Sequence, residues 1–187
     1  MRRDRPPPQV TIVTPTWNRR KLLRETIASV RAQQFGAWEL IVVDDGSDDG
    51  TLEELEQLAR EEPRLRYFSR TGSVNGANAC RNQGLHEAAG EYVIFLDSDD
   101  VLRPHCLGQR VAIMERNHDI DFAVFQMSPF EVTPGDLGER TYKDLFCDDL
   151  LGFLALDLPW QTTAPIWRRA ALPVSYTHLT LPTNREV

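Results

Sequence analysis

Glu91-Tyr-Val-Ile-Phe-Leu-Asp-Ser-Asp-Asp100 is the stretch whose reading decides the fold. Tyr92 to Leu96 is an unbroken apolar run of strand length, aromatic and β-branched. Its lack of polar alternation predicts a central strand covered on both faces. Three carboxylates, Asp97, Asp99 and Asp100, follow at once around Ser98. In an open α/β sheet, ligands bind just beyond the carboxyl ends of the strands. Clustered carboxylates there repel one another unless something positive sits between them, and hard oxygen donors suit Mg²⁺ or Mn²⁺ better than zinc. The expectation is a divalent metal carrying a diphosphate. The competing reading is an acidic turn that merely solvates a strand end.

Working outward, strand and helix patterns alternate. Val10 to Thr14 is a β-branched run that Pro15 is expected to end, since proline removes a ladder donor. A loop through Trp17 leads into a helical stripe of Leu22, Leu23, Ile27 and Val30. Trp38 to Val43 is a second buried-type strand, opening into Asp44-Asp-Gly-Ser-Asp-Asp-Gly50. Thr51-Leu-Glu-Glu54 reads as a capping box for a helix that Pro63 stops. Leu65 to Phe68 is a short third strand, and Gly76 to Ala89 a helix that Gly90 ends. After the central strand, Pro104 suits the first turn of a helix running to Asn117. Phe122 to Gln126 is a fifth strand, Tyr142 to Leu156 holds short helices, and Thr163 to Trp167 is an edge strand. The β-α-β-α-β-α-β order predicts an α/β fold with a mostly parallel central sheet flanked by helices and right-handed crossovers.

Bulk properties bound the function. A chain of 187 residues suits one domain with a sizeable core. A net charge of −7 argues against a nucleic-acid partner. No apolar run approaches the roughly 20 residues of a membrane span, and the N-terminus lacks a secretory h-region. Cys80, Cys106 and Cys147 are odd in number and widely spaced, which fits neither a disulfide framework nor a metal knuckle and points to reduced cytoplasm. His86, His105, His118 and His178 share no ligand spacing.

Three rival motifs fall short. Asp45, Ser47, Asp49, Gly50 and Glu56 occupy EF-hand positions, which would make the chain a calcium-binding module. An EF-hand needs an incoming helix, however, and Trp38 to Val43 is strand material. Asp97-Ser-Asp-Asp-Val101 resembles the nucleophile motif of haloacid-dehalogenase phosphatases, with Asp97 attacking. That motif belongs on a first strand, and here three strand–helix units precede it. No Gly-x-Gly-x-x-Gly follows the first strand, which weakens a dinucleotide-binding reading. Two residues keep two readings each at this stage. Trp17 packs its loop or stacks on a base. Arg81 is a surface residue of a helix capped by Asn75, or a charge partner near a nucleotide.

Four ordered segments together resemble family-two inverting glycosyltransferases of the GT-A fold. They are Val10-Thr-Ile-Val-Thr-Pro-Thr-Trp-Asn-Arg19, Glu39-Leu-Ile-Val-Val-Asp-Asp-Gly-Ser47, Asn75-Gly with Ala79-Cys-Arg-Asn82, and Gly90 to Asp100. The resemblance covers roughly residues 9 to 172. It implies a nucleotide-sugar donor, with UDP favoured, bound by Pro15, Trp17, Asp45, Gly46, Arg81, Asp97 and Ser98. Asp45 would read the base edge and Asp97 would approach the ribose. Asp99, supported by Asp100, would hold Mn²⁺ or Mg²⁺ against the diphosphate. An acceptor hydroxyl, on a glycan, a lipid-linked sugar or another molecule, would attack with inversion and needs a general base. Such an acceptor would also suit a peripheral place at the inner face of the membrane.

The expected organisation is a loose lead-in over 1–8, a nucleotide-sugar-binding half over 9–127, a partial acceptor-side segment over 128–173 and a non-native tail over 174–187. Trp160 to Leu172 resembles the segment just before the family's Gly-Gly-Phe-Asp-Glu stretch, which carries the base and much of the acceptor site. Val174 onward replaces that stretch with Ser175-Tyr-Thr-His-Leu-Thr-Leu-Pro182, which resembles translated sequencing-adaptor read-through; the alternative is a native strand ending at Pro182. The resemblance therefore predicts a truncated, poorly active form without an assignable base.

Overall fold

A computed structural model describes residues 6–125, 127–128 and 162–172. The helices expected over Tyr142 to Leu156 and the tail over 174–187 lie outside these residues, as does most of the acceptor-side segment.

Six strands form one sheet in the order β3-β2-β1-β4-β6-β5. They are β1 (Val10–Thr16), β2 (Trp38–Asp44), β3 (Leu65–Ser69), β4 (Tyr92–Phe95), β5 (Phe122–Val124) and β6 (Pro165–Arg168). The first four run parallel, with Val10 opposite both Trp38 and Tyr92, and Leu40 opposite Leu65. β6 runs antiparallel to both neighbours. Among the described residues four α-helices connect and cover them: α1 (Arg20–Arg31), α2 (Thr51–Glu61), α3 (Ala77–His86) and α4 (Cys106–Arg116).

Successive side chains of a strand point to opposite faces, and both faces here are dry. Ile12, Leu40, Val42, Tyr92, Ile94 and Leu96 join Leu23, Ile27 and Val30 of α1, Leu55 and Leu58 of α2, and Leu107, Val111 and Met114 of α4. On the other face Val13, Val93 and Phe95 pack with Leu85 and Ala88, and Ile41 and Val43 pack with Cys80 of α3. This two-sided burial is why the strands read as continuous apolar runs. Each fully buried aliphatic or aromatic side chain contributes about 1.5–3 kcal/mol.

Several local expectations change. The edge strand on the β4 side is β5, with every residue half-buried, whereas β6 is inserted between β4 and β5 and buries Pro165 and Ile166. Pro15 does not end β1, which runs through Thr16 opposite Asp44. Val13 C=O accepts from Leu96 N–H, so alternate residues 11, 13 and 15 face β4. β4 has ended by the level of Pro15, and the missing proline N–H is not needed. On α1 the buried stripe is Leu23, Thr26, Ile27 and Val30, and Leu22 is 44% exposed, because residues one apart lie about 100° apart on the helix.

Thr51 is the first residue of α2, after Gly50, so no capping box forms. Its hydroxyl instead donates to Asp49 Oδ1 at 2.5 Å. Acids at the start of α2 also bind α1: Asp49 accepts from the Arg20 N–H and Glu54 pairs with Arg20 and Arg24. α3 starts after Gly76 without a side-chain cap, so Asn75 is not its N-cap. α3 ends at His86 and α4 begins at Cys106, two residues past Pro104.

Candidate functional site

Going from β1 to β2 to β3 the chain moves outward one way, and β4 then pairs on the other side of β1. That reversal is a topological switch point, where loops diverge and leave a crevice at the carboxyl ends of the strands. A cleft of about 350 Å³ lies there. Pro15, Thr16, Trp17 and Arg19 line it from the end of β1, Asp45 from beyond β2, Gly76, Ala77, Cys80 and Arg81 from α3, and Asp97, Ser98 and Asp99 from beyond β4. The aspartate closing the second strand and the acidic turn closing the fourth therefore share one cleft.

Each of the three lining aspartates is paired with an arginine. Asp45 Oδ1 accepts from Arg70 Nε, and its Oδ2 accepts the Gly76 N–H at 2.7 Å. Arg70 also donates to Gly72 C=O at 2.7 Å and to Asn75 Oδ1 at 2.8 Å, so one guanidinium ties the loop after β3 to Asp45. Arg81, only 8% exposed, donates to Asp97 Oδ1 at 2.5 Å and to Asn78 Oδ1 at 3.0 Å. The surface-residue reading of Arg81 is thereby overturned. Arg19 donates to Asp99 Oδ2 across the mouth of the cleft.

Two expected residues sit outside the lining. Gly46, in the left-handed region at φ 88°, donates its N–H to Asp44 Oδ2 at 3.0 Å. Asp44 also accepts from the Ser47 N–H and hydroxyl, which shapes the loop after β2. Asp100 turns away to accept the Thr163 hydroxyl. Burial pushes its carboxyl above the usual range, the Thr163 bond opposes that shift, and the charges of Asp97 and Asp99 add to it. Thr163 Oγ1 also accepts the Asp97 N–H at 3.3 Å, and Arg110 donates to Thr163 C=O at 2.9 Å. Trp17 is 62% exposed at the rim, which removes the loop-packing reading. Burial pushes the Cys80 thiol up to about 11, with the Asp45 charge adding, so it stays a neutral thiol near pH 7.

Residues given no site role by the sequence thus hold the site together. Arg70 and Arg19 follow the carboxyl ends of β3 and β1, the position at which any polar residue of a parallel sheet is a candidate. Thr163 carried no such signal, because 63 residues separate it from Asp100. Thr16 Oγ1 and Arg81 Nε are buried without a hydrogen-bond partner among the described residues, and both residues line the cleft. An unmet buried polar atom costs about 1–3 kcal/mol, which a polar ligand would relieve.

Among the described residues no three His, Cys, Asp or Glu side chains converge to hold a metal ion. The carboxylates at the acidic turn are hard oxygen donors. They fit an ion held by one or two carboxylates and completed by phosphate oxygens and water, which is how Mg²⁺ usually sits at nucleotide sites. The EF-hand positions do not converge: Ser47 turns to Asp44, Asp49 to Thr51 and Arg20, and Glu56 to Arg60. Asp97 follows the fourth strand of the sheet and not its first, contrary to the phosphatase reading.

Residues 11–169 match the family described as Glycosyl transferase family 2. The chain belongs to that family. One relative of this family 2 chain is TuaG of Bacillus subtilis, named for teichuronic acid biosynthesis, 32% identical over 165 residues that make up 85% of this chain and 65% of TuaG. Another is the GalNAc(5)-diNAcBac-PP-undecaprenol beta-1,3-glucosyltransferase of Campylobacter jejuni, 40% identical over 51% of this chain and 31% of its own. Among solved structures, S. aureus TarS 1-349 in complex with UDP superposes with a TM-score of 0.64 at 26% identity, over 87% of this chain and 47% of TarS 1-349. The mannosyltransferase PcManGT from Pyrobaculum calidifontis, solved with GDP-Man and Mn²⁺, gives a TM-score of 0.65 at 22% identity, over 88% of this chain and 45% of its own. The family 2 chain therefore has a GT-A-like mixed α/β sheet flanked by helices, and it spans less than two thirds of these relatives' lengths.

Proposed function

We propose that this family 2 chain binds a nucleoside diphosphate sugar with a divalent cation, and that the protein transfers the sugar to an acceptor hydroxyl with inversion. The observation that carries this reading is the convergence of Asp45, Asp97 and Asp99 on one cleft at the switch point. Pro15 and Trp17 serve the base, Gly46 shapes the loop that carries Asp45, and Asp45 accepts an N–H from the base edge, as an ionised carboxylate pairs with the imide of uracil. Asp97 and Ser98 lie toward the ribose. Arg81 and the N-terminal end of α3 face the diphosphate, the sort of group helix N-termini bind.

Three aspartates and two arginines line the cleft. Each lining aspartate already takes an arginine, so a diphosphate brings negative charge that these pairs do not offset, and the entry of a cation with it is favoured. Asp99 would hold Mn²⁺ or Mg²⁺, with Asp100 bracing the turn from behind through Thr163. The ion would supply neutralisation of the charge that develops on the leaving nucleoside diphosphate. Inversion calls for a general base, a role assigned to no described residue.

The acceptor is proposed as a sugar hydroxyl, lipid-linked or on a glycan, in keeping with the undecaprenol-linked substrate in the Campylobacter relative's name. The protein would then work in the cytoplasm at the inner face of the membrane. No helix of the described residues is long and apolar enough to cross one.

Calorimetry tests the reading. UDP should bind with Mn²⁺ present and fail to bind measurably with the metal chelated, and Asp99→Ala should lose metal-dependent binding. Asp99 is the informative position because it is exposed, so its loss leaves the fold intact. Calcium binding without nucleotide would reject the proposal.

A further inference from the structure

We infer that Arg19 is the resident counter-ion of Asp99, that a divalent cation must displace it, and that the freed guanidinium then serves the diphosphate. The inference rests on the proposed nucleotide–metal reading of the cleft. It starts from a contrast among the three arginine–aspartate pairs. Arg70 has its nitrogens committed to Asp45, Gly72 and Asn75. Arg81 is largely buried and divided between Asp97 and Asn78. The Arg19–Asp99 pair is the loose one. Its side chains are 46% and 44% exposed, and Asp99 is the single acceptor of Arg19 among the described residues.

The backbone beneath Arg19 is fixed while its side chain is not. Asn18, at φ 49°, donates its N–H to Ser47 Oγ at 2.8 Å and accepts the Asp48 N–H at 2.9 Å through its side chain. On the other side, Arg19 C=O accepts the Leu23 N–H, the first bond of α1. The loop is pinned to its neighbours on both sides, so a change at Asp99 is met by rotation of the guanidinium alone. Arg19 and Asp99 come from opposite lips of the cleft and both line it. Their pair lies where the cation and the diphosphate of the proposed ligand would meet.

Displacement makes a prediction of opposite signs. The cation and Arg19 compete for one carboxylate, so removing Arg19 should tighten metal binding in the absence of nucleotide. Once metal is bound, the guanidinium is a donor to phosphate oxygens, so removing Arg19 should weaken nucleotide binding. A residue that merely supports the fold would move both affinities the same way.

The experiment is calorimetry with Mn²⁺ alone, then with UDP at saturating Mn²⁺, on the full chain, Arg19→Ala and Arg20→Ala. Arg20 supplies the control, since it removes the same charge from the next residue but pairs with Glu54. Arg19→Ala should bind Mn²⁺ about two- to five-fold tighter, the size of an exposed ion pair. It should bind UDP at saturating Mn²⁺ about ten-fold more weakly, the loss of one charge-assisted hydrogen bond, and bind uridine unchanged. Arg20→Ala should change Mn²⁺ affinity less than two-fold. Unchanged or weaker Mn²⁺ binding in Arg19→Ala, or equal tightening in Arg20→Ala, overturns the inference. A wild-type chain that binds neither Mn²⁺ nor UDP overturns the proposed function and this inference together.

Discussion

Single residues carry the tightest constraints. A Cβ at Gly90 would lie 2.6 Å from the Thr11 backbone nitrogen and 2.8 Å from Thr11 Oγ1. The same Thr11 hydroxyl accepts the Gly90 N–H at 2.9 Å, which holds Gly90 against the β1 backbone that the new methyl would strike. Gly90→Ala should lower stability by about 3 kcal/mol, the upper part of the overpacking range, read from urea midpoints. Asp100 behaves differently. Burial raises its folded pKa, so the folded state holds a proton that the unfolded chain has already released, and stability falls as pH rises through that window. Asp100→Asn removes the charge. The variant should match wild type near pH 4 and equal or exceed it in thermal midpoint from pH 7 to 8. A wild-type advantage that grows with pH would contradict this.

At the scale of elements, the connections decide more than the strands do. Glu39, buried near the start of β2, accepts the Thr11 hydroxyl at 2.7 Å and the Ala89 N–H at 2.8 Å, joining β1 and β2 to the chain between α3 and β4. Glu39→Ala strands both donors and should cost roughly 1–3 kcal/mol for each one left unmet, measured by chemical denaturation. Sequence patterns located the strands and helices because burial on two faces writes an apolar run and burial on one face writes a stripe. They failed at the junctions. The Thr51–Glu54 pattern fits a capping box, but Arg20 and Arg24 of α1 claim Glu54. Pro15 reads as a terminator, yet its missing N–H points where β4 has already stopped. In both cases a neighbour distant in sequence reversed the local preference.

At the scale of the whole fold, the described residues build a cleft at the switch point from four separate stretches of chain. A ligand spanning them stabilises the folded state by mass action. UDP at about 100 times its Kd, with Mn²⁺, should add about 2.7 kcal/mol, raising the thermal midpoint by roughly 5–10 °C for a chain of this size. Chelation should reverse the rise. A midpoint indifferent to UDP and metal would count against the cleft as a nucleotide site.

What the residue order determined by itself was the alternation of strands and helices, the α/β class, the family and the acidic turn after the central strand. These are short-range properties, written in periodicity, turn residues and motif spacing. Tertiary structure alone decided that β6 enters between β4 and β5, that Asp100 turns from the cleft to Thr163, and that Arg19, Arg70 and Arg81 each take an aspartate of the cleft. The physical reason is that hydrogen bonds and ion pairs are set by distance in space, and the partners of these carboxylates stand 16 to 80 residues away along the chain.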